Sequence, residues 1–321
     1  MISVIIPTRW IGSFDKLKRL LDSFSTQTLP VQEILIIIDF DTPKKPLQQM
    51  LLHEKYSLVT LYCQEWYGVS SARNRWVKKA LWDYILLCDD DIVLSDPLTT
   101  ERLLDEYVDK KWSSLDSVVV YPTILWHDTS RIQTQWFIGY NWLLCWPIPK
   151  YAIERKSKLR QWCYQYIMRI FGVKWVTNQI VCTGSICLFT SKKLLLDQPF
   201  DKRFTFIYED IERSYRVWRA WFYLYNPDYI TIQHREKPKD ILAQSYIDHP
   251  DIVYLKSRHR IRFVLMHANR RQKILFYIGG FRASNIRTLL MILLLLFQMT
   301  VLPTNFWQQP KTEHNLQAIL L

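Results

Sequence analysis

Three short acidic clusters and one histidine are the residues of this chain whose types and spacing could do chemistry. Asp89, Asp90 and Asp91 are consecutive and directly follow the apolar run Tyr84–Cys88. Three adjacent carboxylates repel one another, so such a cluster is stable only where a cation or hydrogen-bond donors share its charge. Mg²⁺ and Mn²⁺ take oxygen ligands, and such an ion could bridge a carboxylate to a diphosphate. The alternative is an acidic loop that faces solvent.

Glu209 and Asp210 form a second cluster, directly after the apolar sequence Phe206–Tyr208. One carboxylate in aromatic surroundings can have a raised pKa and act as a general base. The alternative is the first turn of a helix, where acidic residues are favourable. The histidine is His234, which ends a predicted strand. It could take part in the chemistry of the acidic clusters, and the alternative is a purely structural role. The third cluster is Asp39 and Asp41, which could equally be turn residues.

The first third of the chain alternates short apolar strands with amphipathic helices. The predicted strands are Ser3–Pro7, Glu33–Asp39, Leu58–Cys63 and Tyr84–Cys88, and the predicted helices are Asp15–Ser25, Pro46–Lys55 and Ser70–Ala80. This alternation is typical of an α/β fold with a mostly parallel sheet and helices on both faces. Ligands of such sheets lie beyond the carboxyl ends of the strands. The polar residues expected to converge there are Thr8, Arg9, Asp39, Asp41 and Asp89–Asp91.

The rest of the chain continues this pattern and then departs from it. The further predicted elements are a helix over Leu98–Asp109, a helix from Asp210, and strands over Ser117–Pro122, Val181–Thr190 and Tyr229–His234. Residues 131–178 form a Trp- and Arg/Lys-rich stretch, in which Ser157–Phe171 fits a basic amphipathic helix. We expect this stretch to face an acceptor or a membrane.

The net charge of +12 is concentrated near the C-terminus. No Asp or Glu occurs from Ile252 to Thr312, and this basic, leucine-rich sequence favours an anionic lipid surface over nucleic acid. The uncharged run Thr288–Leu302 would span about 22 Å as a helix, short of the ~30 Å hydrocarbon core of a bilayer. A helix lying in the plane of the membrane is therefore favoured over a spanning helix or a core helix.

Composition excludes several other classes of protein. With only 7 glycines in 321 residues, the chain has no G-x-G-x-x-G and no P-loop motif. The six cysteines include no C-x-x-C pair, which is typical of reduced, buried thiols in a cytosolic protein. The N-terminus has no basic segment followed by a long apolar one, so we expect no signal peptide.

Several motifs, in their order and spacing, resemble glycosyltransferase family 2, whose members have the GT-A fold. The matching segments are Ser3–Thr8, Glu33–Asp39, Gly68–Arg75 as G-x-S-x-A-R-N, Cys88–Asp91 at the D-x-D position, Phe200–Asp201, Tyr208–Asp210 at the E-D position, and His234. The chain departs from the family at Arg9-Trp10, where Tyr-Asn is usual, and at Phe40–Thr42, where Asp-Gly-Ser is usual. The resemblance implies a GT-A catalytic domain over residues 1–250 and a separate C-terminal region over 251–321.

The resemblance also implies a mechanism and a set of site residues. The family's reaction would be an inverting transfer of a sugar from a nucleotide-diphosphate donor to a hydroxyl of a glycan or lipid-linked glycan. The residues implied for the donor are Pro7, Thr8, Arg9, Asp39, Asp41, Arg73, Asp89 and Asp90. A Mn²⁺ or Mg²⁺ ion would be held by Asp91, Asp89 and His234. Asp210 would be the general base, and Glu209 would orient the acceptor or the base.

Three other functions stay open at this point. A polyprenyl-phosphate glycosyltransferase would use the same donor but a phosphate acceptor. A sugar-1-phosphate nucleotidyltransferase shares the sheet and the acidic site, but it should have a Gly-rich loop after the first strand, where this chain has Pro7–Gly12. A non-catalytic basic protein would explain the charge but not the acidic clusters. We expect an enzyme without nucleic-acid partners, associated peripherally with the cytoplasmic face of a membrane.

Overall fold

The computed structural model describes most of the N-terminal three-quarters of the chain. The described residues are 1–8, 15–39, 48, 51–53, 56–64, 68–112, 118–126, 136–141, 146–149, 182–183, 186–205, 207–234, 250–270 and 272–273. The chain divides into two compact units, one of residues 1–139 and 148–239 and the other of residues 140–147 and 240–321.

The described elements alternate between strand and helix over the first hundred residues. They are β1 (Ile2–Pro7), α1 (Asp15–Ser25), β2 (Glu33–Asp39), β3 (Val59–Gln64), α2 (Val69–Lys79), β4 (Tyr84–Cys88), β5 (Ile92–Val93), α3 (Thr99–Trp112), β6 (Val118–Val120) and β7 (Thr123–Trp126). The later ones are β8 (Trp136–Asn141), β9 (Trp146–Pro149), β10 (Cys182–Thr183), β11 (Cys187–Ser191), α4 (Lys192–Asp197), α5 (Glu209–Arg219), β12 (Tyr223–Tyr225), β13 (Thr231–His234) and α6 (Pro250–His267).

A mixed, mostly parallel sheet of seven strands forms the centre of the first unit. Its strand order is β12-β6-β11-β4-β1-β2-β3. Neighbouring strands are parallel except at β11, which runs antiparallel to both β4 and β6. The α/β fold predicted from the sequence is therefore confirmed. The single strand predicted over Val181–Thr190 is wrong, because β10 and β11 are separate strands that pair in different sheets.

Alternate residues of the central strands face opposite layers of helices. On β1, Val4 and Ile6 belong to a buried cluster that includes the apolar residues of α1. Ile5, between them, belongs to a second cluster that includes Ala72 and Trp76 of α2. This alternation follows from the two-residue period of a strand, and it explains why these strands are apolar throughout. The prediction of helices on both faces is thereby confirmed.

Several regions singled out in the sequence lie wholly or largely outside the described residues. They are the stretch 131–178 apart from β8 and β9, the helix predicted over Ser157–Phe171, and the run Thr288–Leu302. Within the described parts of the chain, no helix is both long enough and apolar enough to cross a membrane. In the second unit, the side chains of His259 and Phe263 on α6 are buried.

Candidate active site

The carboxyl ends of β1 and β4 lie side by side and bring the first two groups of the site together. The two strands pair in parallel, with Ile5 opposite Leu87. Thr8 follows β1, and its hydroxyl donates a hydrogen bond to Oδ2 of Asp90, which follows β4. The amide of Asp89 donates to the carbonyl of Ile186 (2.9 Å), which extends the β4–β11 ladder up to the acidic triplet. The predicted convergence at this edge is therefore observed for Thr8 and the triplet.

Asp91 and His234 are brought together by a three-stranded sheet with the strand order β5-β13-β7. There β13 runs antiparallel to β5, with His234 opposite Ile92, so the histidine lies beside the residue that precedes Ile92. Nε2 of His234 is 3.2 Å from Oδ1 of Asp91. Burial by itself would raise the pKa of Asp91, but the hydrogen bond and charge of His234, together with the charge of Lys16, lower it below its usual value.

Asp89, the first residue of the triplet, contacts Arg73 of α2. Nη2 of Arg73 is 3.1 Å from Oδ1 of Asp89, and Nη1 is 3.4 Å from Oε1 of Glu209. Arg73 is only 3% exposed, and its guanidinium lies over the ring of Phe200, 5.2 Å from the ring centroid. One arginine thus joins the acidic triplet to the Glu209–Asp210 pair. A direct contact of Arg73 with a nucleotide, expected from the sequence, stays a prediction, and the guanidinium has five N–H donors, more than these two contacts use.

Two carboxyls of the triplet, those of Asp89 and Asp90, lie in surroundings that disfavour their ionisation. Burial raises the pKa of Asp89, and the charges of Asp91 and Asp90 add to this effect, while Arg73 opposes it. Burial also raises the pKa of Asp90, against the hydrogen bond from Thr8. Because 36% of the Asp89 side chain stays exposed, water limits its shift. A cation bound beside the triplet would relieve this repulsion.

The residues of this edge fit a hard divalent cation held by two protein ligands. Among the described residues, no group of three or more His, Cys, Asp or Glu side chains is arranged as a metal site. Of the three predicted metal ligands, Asp91 and His234 contact each other, whereas Asp89 contacts Arg73. A Mg²⁺- or Mn²⁺-like ion is commonly bound by one or two carboxylates together with waters and substrate phosphates, and imidazole is a ligand of several first-row metal ions. The carboxylate–imidazole pair matches that requirement.

Glu209 and Asp210 begin α5 after a strained segment of backbone. Ile207 and Tyr208 both have positive φ angles, 61° and 77°, a conformation that side chains rarely adopt. Each such residue costs about 1–3 kcal/mol and persists only where the surroundings hold it. The backbone conformation of these two residues sets the direction in which α5 starts, and therefore where the side chains of Glu209 and Asp210 lie. Oδ1 of Asp210 accepts a hydrogen bond from the amide of Ile211 (2.7 Å).

Glu209 is the buried member of this pair. Burial and the neighbouring charge of Asp210 raise the pKa of Glu209 to about 7, while Arg73 acts in the opposite direction. Its Oε1 contacts Arg73, and its Oε2 is buried without a hydrogen-bond partner in the described part of the chain. This second oxygen can therefore hydrogen-bond to a bound molecule, or to a group that lies outside that part.

The beginning of α2 holds the segment that leads into Glu209. The amide of Val69 donates to the carbonyl of Thr205 (2.9 Å), and the hydroxyl of Ser70 donates to the carbonyl of Phe204 (2.6 Å). Asn74 exchanges two hydrogen bonds with the backbone of Phe200 (2.7 and 2.8 Å). These contacts give the G-x-S-x-A-R-N motif a positioning role that the sequence analysis did not assign. The sequence did contain an indication of this role, because Ser70 and Asn74 are four positions apart and so lie on one side of the helix.

Gly68 is required at the start of this contact. Its φ is +87°, and a Cβ atom there would lie 2.7 Å from the carbonyl oxygen of Thr205. Only glycine adopts this conformation readily and leaves the two backbones this close.

The remaining predicted residues follow the neighbouring strands. Pro7 is the last residue of β1 and is buried. Asp39 is the last residue of β2 and lies opposite Gln64 of β3 in the backbone register. Arg9 and Asp41 lie outside the described residues. Their contacts with a nucleotide stay predictions.

Known glycosyltransferases resemble this chain in sequence. Residues 3–179, more than half of the chain, match the family described as "Glycosyl transferase family 2". The chain belongs to this family. A curated relative, the "Uncharacterized glycosyltransferase YwdF" of Bacillus subtilis (strain 168), is 36% identical over 90 residues, which are 28% of this chain and 32% of YwdF. The match thus spans about a third of that relative's length.

Solved structures of other glycosyltransferases share the fold of this family 2 chain. A mannosyltransferase, PcManGT from Pyrobaculum calidifontis in complex with GDP-Man and Mn²⁺, matches with a TM-score of 0.53 and 12% identity, over 99% of this chain and 78% of PcManGT. GalNAc-T7 with UDP, GalNAc and Mn²⁺ matches with a TM-score of 0.56 and 15% identity, over 99% of this chain and 58% of GalNAc-T7. At such low identity the likeness concerns the fold alone.

Proposed function

We propose that this family 2 chain transfers a sugar from a nucleotide-diphosphate donor to a hydroxyl group of a glycan or lipid-linked glycan, with inversion and with Mn²⁺ or Mg²⁺. The observation that supports this best is the Asp91–His234 pair, 3.2 Å apart beside the acidic triplet. It lies at the carboxyl edge of a parallel sheet, where such folds bind nucleotides. The Mn²⁺ complexes of PcManGT and GalNAc-T7 favour the same cation for this chain.

On the donor side, Asp91 and His234 would hold the divalent ion. When bound, the ion supplies Lewis-acid stabilisation of the charge that grows on the departing diphosphate. Asp90, held by the hydroxyl of Thr8, would contact the ribose or the sugar of the donor. Asp89 would keep Arg73 in place from this side. The nucleobase would lie beyond β1 and β2, beside Pro7 and Asp39.

On the acceptor side, Asp210 would take the proton of the attacking hydroxyl. The new bond forms between that oxygen and the anomeric carbon while the bond to the diphosphate oxygen breaks on the opposite side, which inverts the configuration in one step. Glu209 would orient the acceptor or the base through Oε2, because its other oxygen is held by Arg73. Positioned general-base catalysis of this kind contributes about 10²–10⁴-fold to a rate.

A panel of donors tests the proposal. Several UDP-, GDP- and dTDP-sugars are incubated with the protein, with Mn²⁺ or with a chelator, and nucleoside diphosphate release is measured. We expect one donor to be hydrolysed slowly in the presence of the metal and to raise the Tm. A protein that neither hydrolyses nor binds any of these donors would contradict the proposal.

We also propose that the protein works at the cytoplasmic face of a membrane, bound peripherally. The support is the sequence from Ile252 to Thr312, which has no acidic residue, and the apolar run Thr288–Leu302. Each Lys or Arg near an anionic lipid surface contributes about 1 kcal/mol of binding, weakened by salt. The full chain should co-sediment with anionic liposomes at low salt, and truncation before Ile286 should reduce that binding. Failure to co-sediment would exclude this location.

A further inference from the structure

The short segment that follows α4 is bound by both of the helices that carry the site. From α2, the side chain of Asn74 donates to the carbonyl of Phe200 (2.7 Å) and accepts from its amide (2.8 Å). From α5, Nε of Arg213 donates to the carbonyl of Gln198 (3.0 Å), and Nη1 of Arg216 donates to the side chain of Gln198 (2.9 Å). The backbone of Phe200 is therefore held in place by bonds that do not involve its ring.

The ring of Phe200 lies against two guanidinium groups, one from each of these helices. Cζ of Arg73 is 5.2 Å from the ring centroid, and Cζ of Arg213 is 5.0 Å from it. Both distances are within the ~6 Å over which a cation is attracted to the face of an aromatic ring, and the attraction is stronger where water is excluded. All three residues are buried. The ring thus connects α2 and α5 through two cation–π contacts.

The contacts of Arg73 with its two carboxylates are long for a charged pair. Its nitrogens are 3.1 Å from Asp89 and 3.4 Å from Glu209, whereas charge-assisted hydrogen bonds are typically about 2.7–2.9 Å. These contacts by themselves leave the guanidinium room to move. The ring of Phe200 adds a third contact, which restricts that movement.

Arg213 connects the same ring to the helix that carries the proposed base. It lies four positions after Glu209 on α5, so the two side chains are on one side of that helix. Arg213 contacts the ring, while Glu209 contacts the guanidinium of Arg73. The helix therefore meets the pair of Phe200 and Arg73 at two points, and the position of its first turn depends on both.

We infer that Phe200 is a positioning residue of the proposed reaction: its ring keeps Arg73 where one guanidinium contacts both Asp89 and Glu209. This inference rests on the proposed function, since it concerns the same site. Phe200 acts through Arg73 and not on the donor or the acceptor. Without the ring, Arg73 would shift and Glu209 would lose its fixed place beside the acceptor. A displacement of about 1 Å can cost about 10²-fold in rate.

Steady-state kinetics of the full chain with Mn²⁺ test this role, with the UDP-, GDP- and dTDP-sugars of the donor panel and with water as the acceptor. Nucleoside diphosphate release is measured for the wild type, Phe200→Leu, Phe200→Tyr and the matched control Phe189→Leu. The ring of Phe189 is also buried, but it packs against Tyr84 and Tyr107 in the other core cluster.

Phe200→Leu should lower kcat about 10- to 100-fold and leave the donor KM within about three-fold of wild type, because the ring positions a group near the chemistry and does not bind the donor. Phe200→Tyr keeps the ring and should stay within a few-fold of wild type. Phe189→Leu should lower the Tm about as much as Phe200→Leu does and keep the wild-type kcat. That comparison separates positioning from a general loss of packing.

A second readout does not depend on turnover. The Nε–H signal of Arg73 in ¹⁵N NMR spectra, assigned by its absence in Arg73→Lys, should shift in Phe200→Leu because the ring next to the guanidinium is gone. The same signal should stay in place in Phe189→Leu.

The outcomes separate this inference from the proposed function. If Phe200→Leu keeps the wild-type kcat or an unchanged Arg73 signal, or if Phe189→Leu lowers kcat equally, the inference is wrong while the proposed function stands. If the wild type neither binds nor hydrolyses any of the donors, both are wrong. If it binds a donor but hydrolyses it too slowly to measure, the Arg73 signal decides.

Discussion

Nη1 of Arg73 lies 3.4 Å from Oε1 of Glu209, although the two residues are 136 positions apart in the chain. The other nitrogen of the same guanidinium contacts Asp89. Arg73 is therefore the physical connection between the proposed donor site and the residues that would act on the acceptor. Because the guanidinium is planar and presents two nitrogens in a fixed fork, it can hold both carboxylates at once.

Replacing Arg73 by lysine should keep the charge and lose the bridge, because one ammonium cannot reach both carboxylates in the same geometry. We expect Arg73→Lys and Glu209→Gln to be coupled in their effects on unfolding free energy, by about 0.5–3 kcal/mol in a double-mutant cycle. Chemical denaturation of the wild type, the two single variants and the double variant measures this. Additive effects would mean that the contact does not stabilise the fold.

The raised pKa of Glu209 predicts a pH-dependent stability. The carboxyl has an unfolded-state pKa of 4.5 and a folded-state pKa of about 7, so the folded protein holds its proton more tightly. The stabilisation is complete below pH 4.5 and is lost as the pH rises through 7. From pH 5 to pH 8 the wild type should lose up to about 3 kcal/mol relative to Glu209→Gln. Denaturation across this range, with the exposed Asp105→Asn as the control, should show the two curves diverging. Parallel curves would rule out the shift.

Asp210→Asn should separate binding from chemistry. The amide keeps the shape of the side chain but cannot accept the proton of the acceptor hydroxyl. Transfer should fall by about 10²–10⁴-fold while donor affinity stays near that of the wild type. Product formation and donor calorimetry on the same preparation measure the two effects. Transfer within a few-fold of wild type would remove Asp210 from the role and direct attention to Glu209.

Gly68→Ala should destabilise the contact between α2 and the segment before Glu209. The new Cβ would approach the carbonyl oxygen of Thr205 to 2.7 Å at a φ of +87°, so the backbone must shift. A loss of about 1–3 kcal/mol in unfolding free energy is expected, together with reduced transfer. Ser71→Ala, in the first turn of the same helix, is the matched control and should be close to neutral. Equal stabilities for the two variants would contradict the observed packing.

The sequence predicted the parts of the fold that depend on local pattern. The apolar runs that became β1, β2 and β4 and the amphipathic spacing of α1 were sufficient for the α/β assignment and for placing Thr8 beside the triplet. Beyond them, the separate strands β10 and β11 were wrongly predicted as one strand, although Gly184 and Ser185, between them in the sequence, are residue types typical of turns.

The site was harder to predict wherever its contacts join distant segments. Ser70 bonds to Phe204 and Asn74 bonds to Phe200. Each bond joins residues more than 120 positions apart, and no periodic pattern in the sequence indicates it. The resemblance to family 2 implied Asp89 as a metal ligand, and only the structure shows that it contacts Arg73.

The most direct test of the account is calorimetric titration of the donor found in the panel, with and without Mn²⁺, into the wild type and Asp91→Ala. Asp91 forms the ion-binding pair with His234 and is the residue on which the proposed metal site depends most. We expect donor binding to require Mn²⁺ in the wild type and to be lost in Asp91→Ala, while the exposed Asp105→Ala binds normally and both variants remain folded. Undiminished, metal-dependent binding of the donor by Asp91→Ala would contradict the account.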